Sequence, residues 1–93
     1  MNKERLQLLL QSLISLESEE ETLAFLEDLC TIKEIEDMQH RLEIALGLMN
    51  GQTFQEVQQA TGASSTTVSR VSRCLKYGSG YQNVLRRLKR DSI

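Results

Sequence analysis

An all-α fold of about six helices is what this sequence predicts, and three observations carry that prediction. The chain has no proline or tryptophan and only 4% aromatic residues. Leucine, glutamate, glutamine and arginine dominate, and β-branched runs are scarce, a composition that favours helix. Apolar residues recur at three- and four-residue intervals, the spacing of one helical face. Serine or threonine followed three residues on by glutamate, the capping-box signature of a helix start, occurs at Ser18/Glu21, Thr31/Glu34 and Thr53/Glu56. Ninety-three residues are expected to make one domain, residues 1–93, with a core of moderate size.

The elements follow in order. In residues 3–16, Leu6, Leu9, Leu13 and Leu16 form a stripe that Leu10 and Ile14 widen. That much apolar surface on one short helix requires a partner. Ser18 opens a second helix running to about Leu29, with Leu23, Leu26 and Cys30 on one face and Phe25 beside them. The run Glu19–Glu21 suits the positive end of its dipole. Thr31 opens a third helix, about Ile32 to Asn50, carrying Ile35, Met38, Leu42, Ala45 and Met49 on a 3–4 stripe. Ile44, Leu46 and Leu48 add apolar surface on other sides, the pattern of a centrally buried helix. Asn50-Gly51 ends it as a glycine cap.

Residues 53–77 read as a helix-turn-helix. Thr53 caps a short helix with Val57 and Ala60 on one face. Gly62 stands where the chain must reverse through a left-handed residue. Ser64 or Ser65 then caps a helix from about Ser65 to Tyr77, buried along Val68, Val71 and Leu75. Tyr77-Gly78-Ser79-Gly80 reads as a loop. Residues 81–90 form a last helix, with Tyr81, Val84, Leu85 and Leu88 inward and Arg86, Arg87, Lys89 and Arg90 outward.

The net charge of −2 is unevenly distributed. Residues 1–40 hold three basic and ten acidic side chains, or −7; residues 41–93 hold eight basic and three acidic ones, or +5. A local basic half, coincident with the helix-turn-helix, matters more for nucleic-acid binding than the total. Cys30 and Cys74 lack metal-site spacing and are expected to be buried free thiols in a reducing compartment. No apolar run approaches membrane-spanning length, so a soluble, cytoplasmic protein is expected. His40 is the only histidine. No nucleophile with its base and no glycine-rich phosphate loop appears, so enzyme activity, a metal and a cofactor are not expected.

The candidate DNA-binding residues are Ser64, Ser65, Thr66, Thr67, Ser69, Arg70, Arg73 and Lys76. Short hydroxyls and guanidiniums suit base edges and phosphates. Thr66 and Thr67 fit either base contact or capping. Ser64 and Ser65 fit phosphate contact beside the helix N-terminus. Arg70 fits a DNA contact, a ligand clamp or an ion pair with an acid such as Glu43. Gln52, Thr53 and Gln55 are placed to meet the DNA backbone. Gln58 stands where many such motifs carry a small residue.

From about Leu29 to Leu88 this order of features resembles the Trp repressor superfamily. The shared elements are a threonine-capped long helix containing an arginine, a glycine stop and the helix-turn-helix. Thr67-Val68-Ser69-Arg70-Val71 also resembles the recognition-helix start of the lac repressor family. The acidic, leucine-rich N-terminal half is most similar to the YerC/YecD branch. The resemblance implies an intertwined homodimer, with residues 1–50 as dimerisation helices and two reading heads a turn of DNA apart. It further implies an effector pocket at Thr31, Arg41, Arg70 and Cys74, where family members hold tryptophan between two arginines. Arg41, Arg70 and Thr31 keep the family residues. Val71 replaces a glycine that makes room for the indole, and Cys74 replaces a serine. These departures predict that tryptophan does not bind, leaving the protein ligand-free or served by another small effector.

The resulting expectation is a homodimeric, sequence-specific regulator of double-stranded DNA, acting as a repressor. The alternative is a protein–protein adaptor in which the helix-turn-helix is only a fold and the acidic half is the working surface. RNA binding is a weaker option, because aromatic residues for base stacking are nearly absent.

Overall fold

A computed structural model describes residues 1–88. It contains α1 (Lys3–Ile14), α2 (Glu19–Leu29), α3 (Ile32–Met49), α4 (Phe54–Thr61), α5 (Ser65–Tyr77) and α6 (Gly80–Leu88). The described residues include no strand, and no described helix is long and apolar enough to cross a membrane. The chain divides into two compact units, residues 1–35 and residues from Glu36 onward.

In the first unit the local signals set the helix starts. Asn2 caps α1, its Oδ1 accepting from the Glu4 and Arg5 amides at 2.9 and 3.4 Å. Ser18 caps α2, accepting from the Glu21 amide at 3.1 Å. The Glu21 carboxylate reaches back to the Glu17 amide (2.9 Å), so this box closes one residue earlier than the ideal pattern. Thr31 and Glu34 form the full reciprocal box at the start of α3, at 2.8 and 3.1 Å. No residue of α1 or α2 is buried. Leu8, Leu10, Ile14, Leu23 and Leu29 all stand exposed, Ile14 at 83%.

The second unit carries the interior. Ile44, Ala45, Val57, Val68, Val71 and Leu85 form one buried cluster, with Leu46, Leu48, Met49, Ala63, Leu75 and Tyr81 packed against it. Its elements thus come from α3, α4, α5 and α6. The stripe expected on α3 holds at Ala45, which is fully buried, but not at Leu42, which is 44% exposed; Ile44, expected on another side, is fully buried instead. Ile44 lies roughly 160° around the helix from Leu42, so one face cannot include both.

Two other packing expectations shift for the same geometric reason. On α4, Val57 is buried but Ala60 is exposed. The half-buried partner of Val57 is Thr61, one turn on, whose hydroxyl donates to the Val57 carbonyl at 2.7 Å. On α6, Tyr81 and Leu85 face the core, while Val84 and Leu88 form the neighbouring strip and remain about half exposed. The structure starts this helix at Gly80; Lys89 and Arg90, expected in it, lie outside the described residues. The thiols also differ from expectation: Cys74 is exposed and Cys30 half-buried, both free.

The end of α3 sets up the motif that follows. Gly51 takes φ +88°. The Gln52 amide donates to the Gly47 carbonyl and the Gly51 amide to the Leu48 carbonyl, a Schellman closure. Thr53 and Glu56 then form their capping box, at 2.8 and 3.1 Å. Gly47 marks the close approach of α3 to α4. A Cβ there would meet Gln52 Oε1 at 2.6 Å and Val57 Cγ2 at 3.1 Å. At the far end, Gln82 Nε2 donates to the Leu75 carbonyl (2.7 Å), and Arg86 Nη2 donates to Gln82 Oε1 (2.8 Å). This clasp satisfies a terminal carbonyl of α5 and ties α6 to it.

Candidate nucleic-acid interface

The geometry of α5 begins at the turn before it. Gly62 ends α4 at φ +73°, a left-handed conformation that glycine adopts without a Cβ penalty. Thr61 Oγ1 accepts from the Ala63 amide at 3.3 Å, bracing the turn. Of the two serines expected to cap α5, Ser64 does so, accepting from the Thr67 amide at 3.2 Å. The Ser64 and Thr67 hydroxyls also lie 3.0 Å apart in a hydrogen bond. Thr67 is half-buried, so its side chain is engaged within the cap. Spacing alone did not distinguish Thr67 from Thr66, which is exposed.

Val68 and Val71 are fully buried and Leu75 half-buried, which fixes the rotation of α5 about its axis. The opposite side presents Ser65, Thr66, Ser69, Arg70 and Arg73, which line one shallow groove of about 380 Å³. Three hydroxyls and two guanidiniums with no carboxylate suit a polyanion. Among the described residues Arg70 forms no ion pair with Glu43, whose carboxylate accepts from Gln39 Nε2 at 3.4 Å. Lys76 sits further along, its Nζ 5.5 Å from the ring centroid of Tyr77. A cation in this last turn also complements the helix dipole.

On the flank of the groove, Arg41, Arg70, Val71, Cys74 and Tyr81 line a second cleft of about 290 Å³. Arg70 therefore stands on the ridge between groove and cleft. Three of the four expected effector-pocket residues come together here, along with Val71. Thr31 belongs to the first unit, where its hydroxyl caps α3. Tyr81 was not foreseen as a wall of this cleft. It arrives from α6 after a glycine-rich turn, and no periodicity on α5 signals it.

The comparisons agree with this architecture. The family profile described as Trp repressor protein matches residues 4–89. The Bacillus subtilis (strain 168) protein YerC is 46% identical over 82 residues, which cover 87% of this chain and 79% of YerC. The crystal structure of a TrpR-like protein from Eubacterium eligens ATCC 27750 superposes with a TM-score of 0.87 at 41% identity, covering 91% of this chain and 89% of that one. A Staphylococcus aureus structure also superposes at 0.87, with 38% identity over 90% of this chain and 85% of that one. Sequence and fold together place this chain in the Trp repressor family.

Proposed function

We propose that this protein is a homodimeric, sequence-specific DNA-binding regulator that represses transcription. The observation that carries the reading is the outer face of α5, where hydroxyls and guanidiniums stand free of carboxylates. A helix buried on one side and dressed in this way on the other is suited to the major groove. Ser64, Ser65 and Lys76 would contact phosphates, while Thr67 serves through the cap. The family assignment supports the same reading. Dimerisation accounts for α1 and α2, whose apolar residues find no interior in their own unit.

Selection of bound duplexes from a random pool tests this reading. A near-palindromic consensus is expected, with half-site centres about 10 base pairs apart or a multiple of that. Affinity should fall steeply with salt, each phosphate contact adding about 0.9 to the logarithmic slope. No enrichment, together with salt-insensitive retention of a protein partner, would favour the adaptor reading.

The regulator is not proposed to respond to tryptophan. Val71 is buried yet forms a wall of the Arg41–Arg70 cleft, so its methyl groups occupy space that a glycine would leave open. The exposed Cys74 thiol is a weak hydrogen-bond partner for a ligand amine. Calorimetric titration with L-tryptophan should show no heat of specific binding, and micromolar affinity would contradict this. Any effector of the cleft would be a different small molecule.

A further inference from the structure

We infer that Arg73 is the principal specificity-determining side chain of α5, reading a guanine, and that the neighbouring Arg70 grips the DNA backbone. This rests on the DNA-binding reading proposed above. The burial of Val68 and Val71, with Leu75 beside them, fixes which meridian of α5 points away from the protein. At about 100° per residue, Thr66 and Arg73 lie about 170° from the centre of that buried line. Ser69 and Arg70 lie about 130° from it, one on each flank. The residues at the middle of the outward face are therefore Thr66 and Arg73. Arg70 leans toward the cleft that it shares with Arg41.

Position along the axis points the same way. Thr66 is near the N-terminal end of α5, the end expected to approach the base edges most closely, where a short side chain suffices. Arg73 is seven residues further on, about 10 Å along the helix. There a long side chain is needed to span the widening gap to the groove floor. A guanidinium on the central meridian can meet guanine O6 and N7 with two parallel hydrogen bonds, the commonest specific contact in the major groove. A guanidinium on the flank meets the groove wall, which is phosphate. Arg73 has the freedom this requires: it is exposed and has no ion-pair partner among the described residues.

The test is duplex selection repeated with the full-length wild type, Arg73→Ala, Arg73→Lys and Arg70→Ala, alongside salt titrations on the wild-type consensus. Arg73→Ala should erase the preference at one symmetry-related pair of G·C positions and leave the other positions unchanged. It should weaken binding to the best site by about 5- to 150-fold. Arg73→Lys should keep the charge, and with it the salt slope, but recover only part of the preference. Arg70→Ala should weaken all sequences alike and lower the salt slope by about one. Unaltered helical circular dichroism would show that the exposed substitutions fold. Two results would overturn the inference while leaving DNA binding intact. In one, Arg73→Ala retains every base preference. In the other, Arg70→Ala erases a G·C pair while Arg73→Ala weakens binding uniformly. Failure of the wild type to select any consensus would overturn the DNA-binding reading itself, and this inference with it.

Discussion

Replacing Ile44 by alanine should lower the free energy of unfolding by about 2–5 kcal/mol. Ile44 is 0% exposed and is one of six side chains in the buried cluster among the described residues. The substitution removes three carbons from a site enclosed by α3 and its neighbours, leaving a cavity that packed valines cannot readily fill. A domain of this size has only about 5–15 kcal/mol to lose. Its thermal midpoint should therefore fall by more than about 10 °C. Circular dichroism melts at matched protein concentration would measure this, because association also stabilises a folded state. Gln59→Ala, at an exposed position of α4, should stay within about 0.5 kcal/mol of wild type. Equal losses at the two positions would refute the assignment of Ile44 to the core.

The second large effect is expected at α1. Leu10→Glu combined with Ile14→Glu should convert the proposed dimer to monomer. The two residues are one turn apart and 49% and 83% exposed, so glutamate there costs little within the protomer. Across a dimer interface, two carboxylates per subunit would be desolvated without a partner. Losing the second reading head also removes the gain from bivalent contact, so operator affinity should fall by about 10²- to 10⁴-fold. Sedimentation analysis and a binding titration would read the two effects separately. A double variant that remains dimeric, or a wild type that is monomeric at the same concentration, would exclude α1 as the association surface.

How much of this was legible in the sequence depended on the range of the interaction concerned. Helix starts are decided within four residues, so Thr31/Glu34 and Thr53/Glu56 could be read directly and formed as expected. The span of α5, from Ser65 to Tyr77, followed from a serine cap and a terminal glycine. Packing was less legible. Helix α3 is apolar on several sides, and periodicity does not say which side meets its own chain; hence Leu42, on the expected stripe, is exposed while Ile44, on another side, is buried. Val84 and Leu88 on α6 posed the same ambiguity. In the candidate interface, residue types on α5 were legible but the roles of neighbours were not. Thr67 turns into the cap because Ser64, rather than Ser65, is the residue that caps the helix. The cleft beside Arg70 takes its Tyr81 wall from a helix whose approach no local signal encodes.

Among the described residues, the buried cluster runs from Ile44 to Leu85. The residues proposed to read DNA therefore rest on an interior supplied by α3, α4, α5 and α6. The two proposed tasks, association and recognition, would thus fall on different residues. On the proposed function, changes along the leucine-rich helices would retune how subunits associate, and changes on the outer meridian of α5 would retune which sequence is recognised. A lineage with this proposed division of labour would acquire new operators through α5 while keeping its leucine-rich helices.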